Sequence, residues 1–169
     1  MIISEESKLI LDSLRKLLNQ LSDEEYVRSL PILSNSSLSQ HVRHILEFYQ
    51  EFLLGIRNDL VDFDARKRSH RIEIDKNFAL EFIFFLIREL ELIKSDSPIS
   101  IKVSTHENNN RPVLQSSVFR ELAYCNEHSV HHMAILKIGI YSEFPHIQVS
   151  KGFGVAFSTQ FANQSTGYC

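Results

Sequence analysis

Asn126-Glu127-His128-Ser129-Val130-His131-His132-Met133-Ala134 is the stretch on which the fold turns. It lies inside a longer tract in which Val118, Leu122, Cys125, Ile135 and Leu136 recur at the spacing of one helix face. His128 and His132 fall on that face at i, i+4, so a helix here stacks two imidazoles one above the other and aims both at the same neighbour. Upstream, His41-Val42-Arg43-His44 borders a second stripe made by Val42, Ile45, Tyr49, Phe52, Leu53 and Ile56. Five of the eight histidines sit in these two runs. Imidazole is half-protonated near a pKa of ~6.5, so a buried cluster with no metal or acid beside it would lose its charge or draw in water. Two facing helices with a histidine-rich patch between them are the expected centre of the molecule.

Working outward, Leu9, Ile10, Leu14, Leu17, Leu18 and Leu21 predict a first helix over Glu6 to Leu21, ended by Ser22-Asp23-Glu24-Glu25. An ordered connection through Pro31 follows, and Ser36 or Ser37 caps a second helix running from about Ser37 to Leu60. The charged stretch Asp62 to Arg71 is long for a link between antiparallel neighbours and predicts a crossover. A third helix, Lys76 to Ile93, places Phe78, Phe82, Phe85, Leu86, Leu90 and Ile93 inward. The alternation Ile99, Ile101, Val103, the turn-rich Glu107 to Pro112 and then Val113-Leu114 predict a small β-hairpin. The fourth helix starts near Ser116-Ser117, with Ser116 as its cap, and reaches Tyr141. After Pro145 the glycine-broken segment Gly152 to Thr159 is expected to lie irregularly over the helices, fraying beyond Phe161. The expected fold class is all-α: a four-helix bundle with a small β-hairpin between the third and fourth helices and an irregular C-terminal tail, in one domain spanning 1–169.

Composition narrows the function. A net charge of -3 and a pI near 6.2 provide no basic field for nucleic acid. The longest apolar run, Phe78 to Ile87, is broken by Glu81 and falls short of the ~20 residues of a membrane span. The opening residues show no basic region or cleavage site, so the expected location is cytoplasmic. Cys125 and the terminal Cys169 do not make a disulfide framework.

Two histidines from one helix and a third from a facing helix give three protein ligands with one position left for water or substrate, the pattern of a catalytic divalent metal. Imidazoles suit Zn, Ni or Fe. Periodicity does not decide whether His41 or His44 supplies the third nitrogen. His131 is turned about 100° from His132 and is expected at the surface or a helix interface. Cys125, one turn before His128, reads as a small buried hydrophobe rather than a soft fourth ligand. Glu47 and Glu127 adjoin the histidines and read as helix-surface carboxylates, although either could orient an imidazole. Arg66-Lys67-Arg68 with Arg71 reads as a solvated run paired with Asp62 and Asp64, or as a clamp for an anionic group if its loop closes over the site. The phenylalanines of the third helix read as core, and His70, His106 and His146 have no role.

Ser39-Gln40-His41-Val42-Arg43-His44-Ile45-Leu46 and His128-Ser129-Val130-His131-His132, on the second and fourth of four helices with a long link between the second and third, resemble the motifs of the DinB-like metalloenzyme superfamily, which includes the YfiT-like and bacillithiol-transferase proteins. Arg120-Glu121-Leu122-Ala123-Tyr124 and Phe153-Gly154-Val155-Ala156 resemble an uncharacterised subgroup of it. The resemblance implies an up-down-down-up bundle, homodimers, and one divalent metal held by His44, His128 and His132. It also implies activation of a low-molecular-weight thiol for S-transfer or isomerisation of a small-molecule substrate. His41 would then lie over the site as a catalytic acid/base. The family's usual Arg or Gly-Gln after the last histidine is replaced here by Met133-Ala134. Two other functions use the same residues: a non-catalytic, dimeric helical module with a structural or vestigial metal site, and metal-assisted hydrolysis with His41 as proton shuttle.

Overall fold

The four apolar stripes become four long helices in a computed structural model, which describes residues 3–106 and 111–166. They are α1 (Ile3–Leu18), α3 (Leu38–Arg57), α5 (Lys76–Glu91) and α6 (Val118–Glu143), with short helices α2 (Asp23–Val27), α4 (His70–Ile74) and α7 (Phe157–Thr166) between or after them. α1 is shifted three residues toward the N-terminus of its expected span. Ser22 starts a new helix there: its side chain accepts from Glu25 N–H while Glu25 accepts from Ser22 N–H, a capping box. α2 then buries Tyr26, whose hydroxyl donates to Ile72 O at 2.7 Å. A single turn of helix leaves no readable periodicity, so α2 reads in sequence only as a connection and α4 only as part of a charged link; the ten-residue α7 replaces the irregular tail expected to fray beyond Phe161, because Phe157 and Phe161 are its only large apolar residues and make no stripe. Residues 107–110 of the expected turn over Glu107 to Pro112, and Cys169, lie outside the described residues.

Side-chain contacts fix the helix directions. Lys8 pairs with Glu91 at 2.5 Å and the Arg15 guanidinium lies over Phe84, so α1 and α5 run antiparallel. His41 meets His132 and Phe48 O meets Cys125, so α3 and α6 are antiparallel. Gln40 reaches Glu73, just before α5, while Arg57 reaches Glu89 near its end, so α3 and α5 run the same way. Parallel neighbours need the chain to return the length of a helix, about 30 Å for twenty residues. The charged link does this, carrying a strand, a 3₁₀ turn at Phe63–Ala65 and α4. Leu11, Leu14, Ile45, Leu46, Phe52, Ile83, Leu86, Leu122 and Leu136 fill the space between the four helices.

The strand in that link, β1 (Leu60–Val61), pairs parallel to β2 (Pro98–Lys102), which pairs antiparallel with β3 (Val113–Ser117). In register, Ile99 faces Ser116 and Ile101 faces Leu114, while Val61 faces Ile101. The result is a three-stranded sheet, one strand more than the alternation predicted, because two residues are too few to alternate. Ser117, rather than Ser116, caps α6 by accepting from Arg120 N–H; Ser116 donates instead to Glu121. α5 differs from expectation in the face it buries. Ala79, Ile83, Leu86, Ile87 and Leu90 point inward, whereas Phe85 is 46% exposed and Phe84 54%. A helix apolar nearly all round carries no period that selects a face. Among the described residues no helix is long and apolar enough to cross a membrane.

Candidate metal centre

Ser37 sets the start of α3 by the same capping-box device, accepting from Gln40 N–H while the Gln40 side chain accepts from Ser37 N–H. This places His41 and His44 in the first two turns, facing the middle of α6. His44 Nε2 lies 2.7 Å from His128 Nε2, and His41 Nδ1 lies 3.2 Å from His132 Nδ1. His44, His128 and His132 each bring one ring nitrogen to within 4.8 Å of the other two, the one such grouping of His, Cys, Asp and Glu side chains among the described residues. His41 stands beside His132 and outside that triad. All four imidazoles are half-buried.

One wall of the site is aromatic. Phe48, one turn after His44, stacks on His128 with centroids 4.0 Å apart and on Phe63 at 5.0 Å; Tyr124, one turn before His128, closes on Phe63 at 5.4 Å. These rings escaped the sequence reading, although Phe48 and Tyr124 sit at i+4 and i−4 from the histidines, the spacing that could have marked them.

Arg66 supplies positive charge. Its guanidinium lies 5.3 Å from the centre of the Phe48 ring, donates to Phe63 O at 2.9 Å and faces Glu47 at 3.8 Å. Glu47 is therefore not the surface carboxylate expected from its position. It is 1% exposed, accepts from Ser69 N–H at 2.7 Å and stands 3.7 Å from Arg43, which also pairs with Glu73. Asp62 and Asp64 pair with Arg111 instead of the basic run, and Lys67, Arg68 and Arg71 are exposed.

Electrostatics keep the imidazoles neutral. Burial, then the charge of Arg66 and the neighbouring histidines, holds His44 down to about 4; burial and the other three histidines of the site, with His131, hold His132 down to about 3. Burial also lowers His41 and His128. Four neutral rings packed without any carboxylate among them offer lone pairs to a cation. His41 Nε2 is buried with no hydrogen-bond partner among the described residues.

The remaining candidates fall outside the site. Cys125 is fully buried, its thiol 3.8 Å from Phe48 O and pushed well above the usual thiol range by burial, which fits a packed hydrophobe. His131 and Glu127 are exposed, as are His70 and His106, while His146 pairs with Glu25 at 3.1 Å.

The donor set fits a transition metal. Tetrahedral ligands at about 2.0–2.1 Å from Zn stand about 3.3 Å apart, and the triad's nitrogens bracket that spacing, from 2.7 Å in the pair His44–His128 to the 4.8 Å within which all three lie. No protein-family model, curated protein or solved structure matches the chain.

Proposed function

We propose that the chain is a DinB-like metalloprotein, an up-down-down-up four-helix bundle in which His44, His128 and His132 hold one divalent cation used in thiol-dependent S-transfer or isomerisation of a small-molecule substrate. The observation that carries this reading is the convergence of three neutral imidazole nitrogens from two facing helices. The helix directions, the long link before α5 and the antiparallel strands β2 and β3 between α5 and α6 support the bundle topology. Three imidazoles with no carboxylate suit Zn, Ni or Fe and leave a position open. A bound cation would supply Lewis acidity, which lets a thiol lose its proton near neutral pH.

The chain's own groups have separable tasks. His44, His128 and His132 bind; Phe48, Phe63 and Tyr124 keep water from one side; the Arg66 guanidinium, tethered to Glu47, favours a substrate or thiol carrying a carboxylate near that wall. To His41, whose Nδ1 lies 3.2 Å from His132 Nδ1, we assign the task of holding or moving a proton. That contact also favours a second reading, hydrolysis with His41 as proton shuttle, which would proceed without added thiol.

Elemental analysis of the purified protein beside its His44→Ala and His128→Ala variants, each checked by circular dichroism, tests the centre. Close to one metal per chain, absent from both folded variants, is the expected result. A wild-type protein that carries no metal and takes up none on reconstitution overturns it and leaves a helical module.

A further inference from the structure

The chain after α6 leaves a gap where it passes over α1. Two cavities of about 250 and 400 Å³ open there, and Ser13, Lys16 and Ser150 line both. Polar ties frame the gap. Gln20 and Gln148 exchange two hydrogen bonds, Gln20 Nε2 donating to Gln148 O at 2.9 Å and Gln148 N–H to Gln20 Oε1 at 3.0 Å. Lys137 donates to Phe153 O at 3.3 Å and Gln160 to Val155 O at 2.7 Å, which fastens the segment to α6 and α7. The smaller cavity has an apolar floor made by Ile10, Val130, Met133 and Phe157. Its charge is unbalanced. Asp12 and Lys16, the charged residues among those lining the two cavities, stand four apart on α1, the spacing of an ion pair, yet the Asp12 carboxylate is taken by Arg15 at 3.0 Å. Among the described residues Lys16 makes no ion pair and the Ser150 hydroxyl no hydrogen bond.

We propose that this cleft binds a small amphipathic carboxylate, its head on the Lys16 ammonium and the Ser150 hydroxyl where the cavities adjoin, its apolar body against Ile10, Val130, Met133 and Phe157. One ammonium and one hydroxyl match a single negative charge. A phosphate, with nearly two charges and three acceptor oxygens, would find too few donors. The apolar floor selects the rest of the ligand, as in small-molecule sites where a few polar groups only fix orientation. At the ~30 Å³ a water occupies in the liquid, the 250 Å³ cavity takes about eight non-hydrogen atoms, the size of a six-carbon acid. Val130 and Met133 turn toward α1 here, whereas His128 and His132 turn toward α3, so this site needs no metal and stands or falls apart from the histidine centre.

Hexanoate titrated into the isotope-labelled full chain, followed by NMR, tests the site. Saturable shifts at Lys16, Val130, Met133 and Ser150 are expected, with a Kd of about 1 mM or tighter for a ligand of this size. Lys16→Gln, at an exposed position that leaves the fold unchanged, should weaken hexanoate about tenfold. Two probes separate head from body in the wild type. 1-Hexanol, which lacks the charge, should bind about tenfold more weakly than hexanoate, and acetate, which lacks the apolar body, should give no saturable shifts at about twentyfold that Kd. Shifts that lie outside the cleft or do not saturate, Lys16→Gln binding as tightly as the wild type, or 1-hexanol, acetate or inorganic phosphate binding as tightly as hexanoate overturns the proposal.

Discussion

Replacing Glu47 by Gln keeps the side chain's shape and removes one charge from a place that solvent barely reaches. The amide oxygen can still accept from Ser69 N–H, now 2.7 Å from the carboxylate, so that hydrogen bond survives in weakened, uncharged form. What is lost is the counter-charge for Arg43 at 3.7 Å and Arg66 at 3.8 Å. Removing one partner of a buried ion pair costs about 3–5 kcal/mol where nothing else compensates. Here two things do. Arg43 keeps Glu73, and the two guanidinium-bearing side chains are 15% and 23% exposed, enough for water to approach. The Arg43 Nε already lacks a hydrogen-bond partner among the described residues, so its position worsens little. The balance is a loss of about 2 kcal/mol. Equilibrium urea unfolding measures it: with a slope of about 1–3 kcal/mol/M, the midpoint should fall by about 1 M at unchanged slope. Glu127→Gln, on the exposed side of α6, is the control and should stay within about 0.5 kcal/mol of wild type. An unchanged or higher midpoint for Glu47→Gln would refute the view that this carboxylate anchors Arg66 and Arg43 beside the site.

Gly154→Ala should destabilise by about 2–3 kcal/mol, because its φ of +68° disfavours a side chain and the new Cβ would stand 2.6 Å from Ala134 N, helix backbone that cannot yield; unaltered urea stability together with unaltered proteolysis of the tail would count against that packing. The metal-free protein should lose stability between pH 7.5 and pH 5. His44 and His132 titrate at about 4 and about 3 when folded and at ~6.5 when unfolded, so across that interval the unfolded chain binds more protons; denaturation of chelator-treated protein that shows equal or greater stability at pH 5 contradicts it. In a Cys169→Ser background, Cys125 should resist alkylation at pH 8 until the protein unfolds, and rapid labelling of the native protein would show that the thiol is open.

Long, one-sided periodicity was the legible part. The four long helices, the antiparallel strands and the stacking of His128 with His132 on one face follow from residues three, four or two apart along the chain; spacing left His41 and His44 level, and Ser36 and Ser37 level as caps, and only the packing of α3 on α6 separates them. What the sequence hid has two causes. Elements of one or two turns, and the two-residue β1, are too short to show a period. The other cause is that burial of a charge depends on what packs over it: Glu47 reads as a surface carboxylate until the return loop lays Ser69 and Arg66 on top of it. Phe85 failed the opposite way, apolar in sequence and open in space, since α5 offers more apolar faces than its neighbours cover.

The register that brings the histidines together is held by polar contacts within about a turn and a half of them. Apolar stripes on α3 and α6 would tolerate sliding, and a slide of one turn, about 5.4 Å, would separate His44 from His128 while keeping much of the oil-like packing. Asn126, 4% exposed, is less forgiving. Its Oδ1 accepts from Ser7 at 2.7 Å and from Tyr49 at 3.0 Å, and its Nδ2 donates to Ile3 O at 3.3 Å, tying α1 and α3 to α6 through one side chain. A slipped register would leave two buried hydroxyls and an amide unpaired, at about 1–3 kcal/mol each, a large share of the few kcal/mol by which a domain this size is stable. Tyr49 follows His44 by five residues and Asn126 precedes His128 by two, so the contact that fixes the register and the nitrogens that depend on it sit on the same short stretch of the same two helices. Helix-to-helix sliding is excluded where the site needs it excluded, and the precision of the imidazole triad comes from a neutral network that takes no part in its chemistry.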